Sequence, residues 1–243
     1  MKRFYFLGLV FLLLTKFTSA QGEGEKIEFG LGMNPCLSWM NPSMKIFNSG
    51  GSTFAFGFGA KINYKLSQKY ALGFEVNFQN ININTHYNKI DVEYKSVTQT
   101  STDFTMQYNL KYLEIPVLLK MQTEPKNKLA YYGEFGGSLG LLLNQLADVE
   151  SKELNISQVN TEEPEEGDKF ILKNSDNNVT IYKTNINAFK IGLIFGGGLQ
   201  YHLTNGSRLE FGLRYNLGLT DIYDDSKLEG SNHCAGINIG FIF

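Results

Sequence analysis

The sequence predicts an all-β chain, an eight-stranded antiparallel up-and-down transmembrane β-barrel. Three observations predict it. Apolar and polar residues alternate with a period of two in eight segments, the signature of strands with two unlike faces. The links between those segments are alternately short and long. One phase of the alternation is bulky and apolar, while the other is glycine, small polar residues and single charges.

The elements follow in order. The first strand, 26–39, sets Ile27, Phe29, Leu31, Met33, Leu37 and Trp39 against Glu28, Gly30, Gly32, Asn34, Cys36 and Ser38. The second, 54–66, sets Phe54, Phe56, Phe58, Ile62 and Tyr64 against Gly57, Gly59, Lys61, Asn63 and Lys65. The third, 69–83, sets Tyr70, Leu72, Phe74, Val76 and Phe78 against Gly73, Glu75, Asn77 and Gln79. The fourth, 108–122, sets Leu113, Ile115, Val117 and Leu119 against Glu114, Pro116 and Lys120, and its phase slips near Tyr112, where a bulge is expected. The fifth, 129–144, sets Tyr131, Phe135, Leu139, Leu141 and Leu143 against Glu134, Gly136, Ser138 and Gly140. The sixth, 188–203, sets Phe189, Ile191, Leu193, Phe195, Leu199 and Tyr201 against Lys190, Gly192, Gly196, Gly198 and Gln200. The clearest is the seventh, 208–220, where Leu209, Phe211, Leu213, Tyr215, Leu217 and Leu219 oppose Arg208, Glu210, Gly212, Arg214, Asn216 and Gly218. A helix would scatter those six apolar residues around its circumference. The eighth, 233–243, sets Ile237, Ile239, Phe241 and Phe243 against Gly236, Asn238 and Gly240.

The short links are Ser67-Gln68, the 122–128 turn and the 204–207 turn, with Asn205-Gly206 as a favoured hairpin dipeptide. The long ones are 40–53, 84–107, 145–187 and 220–232. Membrane barrels of the bacterial outer membrane sort their links this way, short toward the periplasm and long toward the exterior. Within the acidic 145–187 link, Phe170–Lys173 and Val179–Lys183 flank 175–178; this segment reads either as a hairpin above the membrane or as a solvated acidic loop.

The bulky phase must face lipid, because an eight-stranded barrel has room inside only for side chains that fill it. A soluble barrel with the opposite orientation would crowd the Phe and Leu rings into that space. The sheet must close, since an open edge would strand backbone donors in hydrocarbon. Tyr64, Tyr70, Tyr131, Tyr201 and Phe243 fall at the short-turn end and Trp39 and Phe54 at the other, as candidates for two aromatic girdles. Mean hydropathy is −0.19, an average in which two opposed faces cancel.

The first twenty residues read as an export signal: Lys2 and Arg3, an apolar run Phe4–Leu14, and Thr18-Ser19-Ala20 before the cut. The domain division is therefore a signal peptide at 1–20 and a barrel at 21–243. Gln21 stands where a lipoprotein needs cysteine. The apolar run is shorter than the roughly 20 residues a membrane helix requires.

The inner phase carries Lys61, Lys65, Lys120, Lys190, Arg208 and Arg214 with Glu28, Glu75, Glu114, Glu134 and Glu210. Opposite signs in similar number predict a salt-bridged interior network; a narrow water or ion path is the alternative. Cys36 and Cys234, the only cysteines, lie on the inner phase of the first and last strands, which pair to close the barrel. With Ile27 opposite Phe243 the two cysteines come face to face. They form a disulfide in an oxidising compartment or stand as two small unpaired core residues.

The end of the chain, Gly236–Phe243, resembles the C-terminal signature of outer-membrane barrels, with alternating apolar residues and a final Phe. That resemblance implies that the barrel assembly machinery reads this strand, with Phe241 and Phe243 as the signal. The run Tyr112-Leu113-Glu114-Ile115-Pro116-Val117-Leu118-Leu119-Lys120 resembles the "YLEIPLLLK" strand of the Bacteroidetes outer-membrane β-barrel family, often called PorT-like. Membership implies an eight-stranded barrel in the outer membrane over 21–243. A few members take part in protein secretion, and there is no family catalytic motif to carry over.

Function classes narrow accordingly. A net charge of −2 gives no basic field for nucleic acid. Spacing for a phosphate loop, paired-Cys zinc site, calcium loop or dinucleotide fold is absent, so no cofactor or metal is expected. The three histidines, His86, His202 and His233, fall at unrelated places along the strands. His233 beside Ser231 is the one candidate for a lipid-facing nucleophile pair. The leading expectation is a non-enzymatic barrel, with outer membrane lipids around it and an envelope protein partner at its outer loops. A role in secretion or envelope assembly is second and lipid modification third.

Overall fold

The computed structural model describes residues 26–43, 47–94, 97–150, 169–174, 177–182, 186–204, 206–224 and 229–243. The expected signal peptide, most of the acidic segment and Asn205 lie outside the described residues. Alternating burial along each strand shows how the sheet curls. In β1 (Ile27–Pro42) every even-numbered residue from Glu28 to Met40 is buried and the odd ones face out. The same holds for β3 (Thr53–Lys65), where Lys61 and Asn63 point in and Phe54, Phe56, Phe58 and Ile62 point out. A sheet whose inner face is polar and outer face apolar is stable only with hydrocarbon outside.

The barrel strands continue as β4 (Tyr70–Tyr94), β5 (Val97–Gln122), β6 (Leu129–Glu150), β9 (Phe189–His202), β10 (Arg208–Asp221) and β11 (Gly230–Ile242). Each pairs antiparallel with its neighbour, and β1 pairs with both β3 and β11, so the eight strands close on themselves. The links Lys65–Tyr70, Gln122–Leu129 and His202–Arg208 lie at one end. Gly206, with φ +87°, takes the left-handed turn position of the last of these, where a side chain would be strained.

Three short strands are added at the opposite end. β2 (Phe47–Ser49) pairs with Thr85–Tyr87 of β4. β7 (Lys169–Asn174) and β8 (Asn177–Tyr182) form a hairpin, and β7 pairs with Asp91–Glu93. Of the two readings of this part of the 145–187 link, the hairpin is the one observed.

The 84–107 stretch is not the open link expected from sequence. β4 and β5 run through it as a paired ladder down to Tyr94 opposite Val97. They contain 25 and 26 residues, against the roughly 10 that cross a bilayer at barrel tilt. The physical reason appears in the side chains. Up to Phe78 and Leu113 the outward residues are apolar. Beyond them the outward residues are Asn80, Asn82, Asn84 and Asn109, while Ile81, Ile83, Met106, Tyr108 and Leu110 turn inward and are buried. The alternation persists but its polarity inverts, because the strands have left hydrocarbon for water. The irregularity expected near Tyr112 is this inversion combined with a register shift. Lys111 faces Asn144 but Tyr112 faces Leu142, which leaves Leu143 as the extra residue, in β6 and not in β5.

Glycines make the curvature possible. A Cβ on Gly59 would collide with the carbonyl oxygen of Val76, and one on Gly136 with that of Val117. Only a residue without a side chain lets adjacent strands coil so tightly at those points.

Candidate functional site

All of the charges assigned to the interior from sequence point into the barrel. At the short-turn mouth, Arg208 donates two hydrogen bonds to the carboxylate of Glu28 at 2.6 and 2.7 Å. Lys65, whose side chain is 41% exposed, adds a contact to Glu28 at 2.7 Å. Deeper, Glu210 accepts from Lys120 Nζ at 3.0 Å, and Lys61 Nζ lies 3.8 Å away. Lys61 also reaches Glu75 at 3.6 Å and donates to Asn238 Oδ1 at 2.8 Å. Arg214 joins the two sides, donating to Glu75 at 2.7 and 2.9 Å and to Glu134 at 2.7 Å. Lys190 pairs with Glu114 at 3.0 Å higher up, where Asn216 donates to the same oxygen at 3.0 Å. Five cations and five carboxylates are thus matched in the buried network, with Lys65 as a sixth cation in the mouth.

Strand phase positions these groups. Glu75 stands opposite Lys61 in the β3–β4 ladder, and Lys120 opposite Glu134 in β5–β6. The longer reaches, such as Arg214 to Glu75, cross the lumen and tie β10 to β4. In this low-dielectric interior each charge is tolerable because a partner is in contact.

Above the charges the lumen changes character. Ile81, Ile83, Leu110, Met106 and Met40 are at most 1% exposed. Tyr223, from the β10–β11 link, turns in over them, and its hydroxyl lies 3.0 Å from Thr85 Oγ1. Its ring meets Tyr108 edge-on at 5.7 Å, and Asn187 donates to its carbonyl at 2.9 Å. Sequence reading missed this apolar stopper. The signal was present in Ile81 and Ile83 between Asn80, Asn82 and Asn84, the reverse of the pattern lower down.

Cys36 and Cys234 are joined by a disulfide across the β1–β11 seam, with Cα atoms 6.1 Å apart. They are not face to face as the sequence register required. Cys36 stands opposite Gly236 and Cys234 opposite Ser38, so the seam is slid by two residues and the bond runs diagonally. A slip of two keeps every side chain on its face, so the hydrophobic pattern permits it. It also brings Phe243 opposite Phe29 and not Ile27, and the Phe243 backbone N–H donates to the Phe29 carbonyl at 2.8 Å. Phe241 and Phe243, the expected assembly signal, pack edge to face at 5.1 Å.

The three histidines stay apart. His86 contacts Thr105, His202 lies at the short-turn mouth and His233 near the opposite rim. His233 Nε2 is 3.1 Å from Ser231 Oγ, but its Nδ1 meets the phenol of Tyr215 at 2.7 Å, where a nucleophile triad would place a carboxylate. Trp39 stacks on the imidazole at 6.0 Å. Among the described residues no group of three or more His, Cys, Asp or Glu side chains converges to hold a metal.

The chain is similar to the solved neisserial surface protein A, at 16% identity over 90% of this chain and 96% of that one, with a TM-score of 0.42. It is similar to OprG of Pseudomonas aeruginosa at 11% identity, over 89% and 94% of the two chains, with a TM-score of 0.40. It is also similar to Ail of Yersinia pestis at 12% identity, over 90% and 100%, with a TM-score of 0.36. No curated protein matches the sequence. Residues 20–224 match the model of the outer membrane protein beta-barrel domain. The chain belongs to that family and resides in the outer membrane, with its apolar band in the bilayer.

Proposed function

We propose that this is a non-enzymatic outer membrane protein that acts through what it displays outside the cell, on a barrel that does not conduct. The carrying observation is the excess length of β4 and β5, which continue as a paired hairpin well beyond the apolar band and gain β2, β7 and β8 as additions. The interior supports the same reading, since paired charges fill its lower part and apolar side chains its upper part. Function then lies in exposed segments held by a rigid scaffold. The partner is an envelope or surface protein that meets the 84–107 hairpin and the 145–187 segment. A photoreactive residue placed in the hairpin tests this directly. Crosslinking to one discrete partner in intact cells supports the proposal, and crosslinking to lipid alone contradicts it.

A second reading is a part in protein secretion or envelope assembly, within a PorT-like group of the Bacteroidetes. It rests on the Tyr112–Lys120 run, whose Glu114 and Lys120 face the lumen. Deleting the gene separates the two readings. An unchanged secreted proteome fits display, and loss of secreted proteins fits secretion. Lipid modification is the third reading and rests on the Ser231–His233 contact. Unchanged lipid composition in a His233→Ala strain removes it.

A further inference from the structure

The apolar band is not uniform. Most outward positions carry Leu, Phe, Ile or Tyr. On one flank the outward positions Gly197 of β9 and Ala235 of β11 are small, and they floor a shallow, open groove walled by Phe195, Leu213, Tyr215 and Ile237. The floor broadens onto β6, where Gly133 stands opposite Gly197 and a Cβ there would meet nothing nearer than 3.9 Å. The groove faces the bilayer, so hydrocarbon fills it.

A polar chain stands beyond the groove. Along β11 the outward phase runs Ile237, Ala235, His233, Ser231, from the middle of the band toward the outer rim; His233 itself is buried, with Trp39 stacked on its ring. Tyr215, a wall of the groove, meets His233 Nδ1 at 2.7 Å, and His233 Nε2 meets Ser231 Oγ at 3.1 Å. When the phenol donates to Nδ1, Nε2–H donates to the serine oxygen, and the serine hydroxyl hydrogen is left to donate outward. Aligned hydrogen bonds of this kind polarise one another, which strengthens the last donor. Ser231 lies twelve residues from Phe243; at about 3.3 Å per residue and barrel tilt that places it roughly 30 Å up the wall. That is the edge of the hydrocarbon, where acyl chains meet their ester groups.

We propose that this flank is a lipid-binding site: the groove seats one acyl chain of an outer-leaflet lipid, and the Tyr215–His233–Ser231 chain donates a hydrogen bond to that lipid's ester carbonyl. The site selects for an ester-linked chain and is independent of the identity of the headgroup. It makes and breaks no covalent bond.

Trp39, the only tryptophan, stacks on His233 at 6.0 Å and therefore reports on this site. The folded full-length barrel is placed in vesicles of phosphatidylcholine brominated near the head of its chains, which quenches that tryptophan. Unbrominated diester phosphatidylcholine is then titrated in, and in a parallel series its diether analogue, which lacks the carbonyls. The expected result is that the diester lipid relieves quenching at about one-third of the concentration the diether needs. Ser231→Ala brings the two lipids to parity. Ala235→Leu, which fills the groove and leaves the polar chain intact, weakens competition by both. Gel mobility with and without heating verifies that each variant is folded. Equal competition by diester and diether lipids in the unaltered protein overturns the proposal, as does a diester preference that survives Ser231→Ala. Release of free fatty acid from the diester vesicles also overturns it, because the histidine would then be acting as a base.

Discussion

Arg214 grips Glu75 with two guanidinium hydrogen bonds, at 2.7 and 2.9 Å, and the same side chain donates to Glu134 at 2.7 Å. One cation from β10 thereby holds carboxylates from β4 and β6 across the lumen. Removing it leaves two buried negative charges short of their main partner. Losing one member of a buried pair costs about 3–5 kcal/mol. Arg214→Ala is expected to lower the stability of the folded barrel by that order, read from urea titration in vesicles. Arg214→Met combined with Glu75→Gln is expected to recover a large part of the loss. Equal instability of the single and double variants would show that the pairing is not what matters.

The Cys36–Cys234 bond spans a sequence separation of 198 residues and staples the first barrel strand to the last. On the chain-entropy account such a closure is worth roughly 5 kcal/mol through the unfolded state. Reduction, or Cys36→Ser with Cys234→Ser, is therefore expected to leave the barrel closed by its β1–β11 ladder but easier to unfold. The check is the urea midpoint with and without reductant; the unreduced protein should unfold later, and coincident midpoints would contradict the expectation.

The edge of the hydrocarbon can be located by charge. Leu213 is 71% exposed, at the middle of the apolar band, and Leu213→Arg is expected to cost about 2–4 kcal/mol there. Asn109→Arg points outward from above the inversion, where it gives up the hydrogen bond that Asn109 donates to Asn82 Oδ1 at 2.6 Å, so it is expected to cost about 1 kcal/mol. Equal penalties at the two sites would put the band in the wrong place.

The pattern of Leu209, Phe211 and Leu213 against Arg208, Glu210 and Gly212 was legible because a period of two separates faces wherever the two sides differ in polarity. So were the inward charges. Two features were not legible. Ile81, Ile83, Met106 and Leu110 keep the period while exchanging faces, and alternation does not say which solvent lies outside. The seam register was also hidden, because sliding Cys36 from Cys234 to Gly236 moves no residue to the other face. The sequence marks where β4 and β5 leave the bilayer only by a change along the outward phase, from Phe78 to Asn80 in one strand and from Leu113 to Lys111 in the other, with Ile81 and Ile83 on the inner phase beyond it. The Tyr215–His233–Ser231 contacts depend on neighbouring strands, so only the Ser231–His233 half was visible along the chain.

A closed interior has an electrical consequence. The unaltered protein is expected to show no steady conductance in planar bilayers. Tyr223→Ala, which removes part of the upper stopper, is expected to remain silent because the Arg214 layer still blocks below. Stable channel openings in the unaltered protein would refute the filled lumen.

One set of large apolar side chains faces acyl tails and a second, higher set faces inward. Methyl-labelled protein in lipid nanodiscs measures this directly, through magnetisation transfer between lipid methylenes and leucine or isoleucine methyls. Strong transfer is expected to Leu209, Leu213 and Ile191 and none to Ile81, Ile83 and Leu110. Transfer to the second group, or its absence from the first, would contradict it.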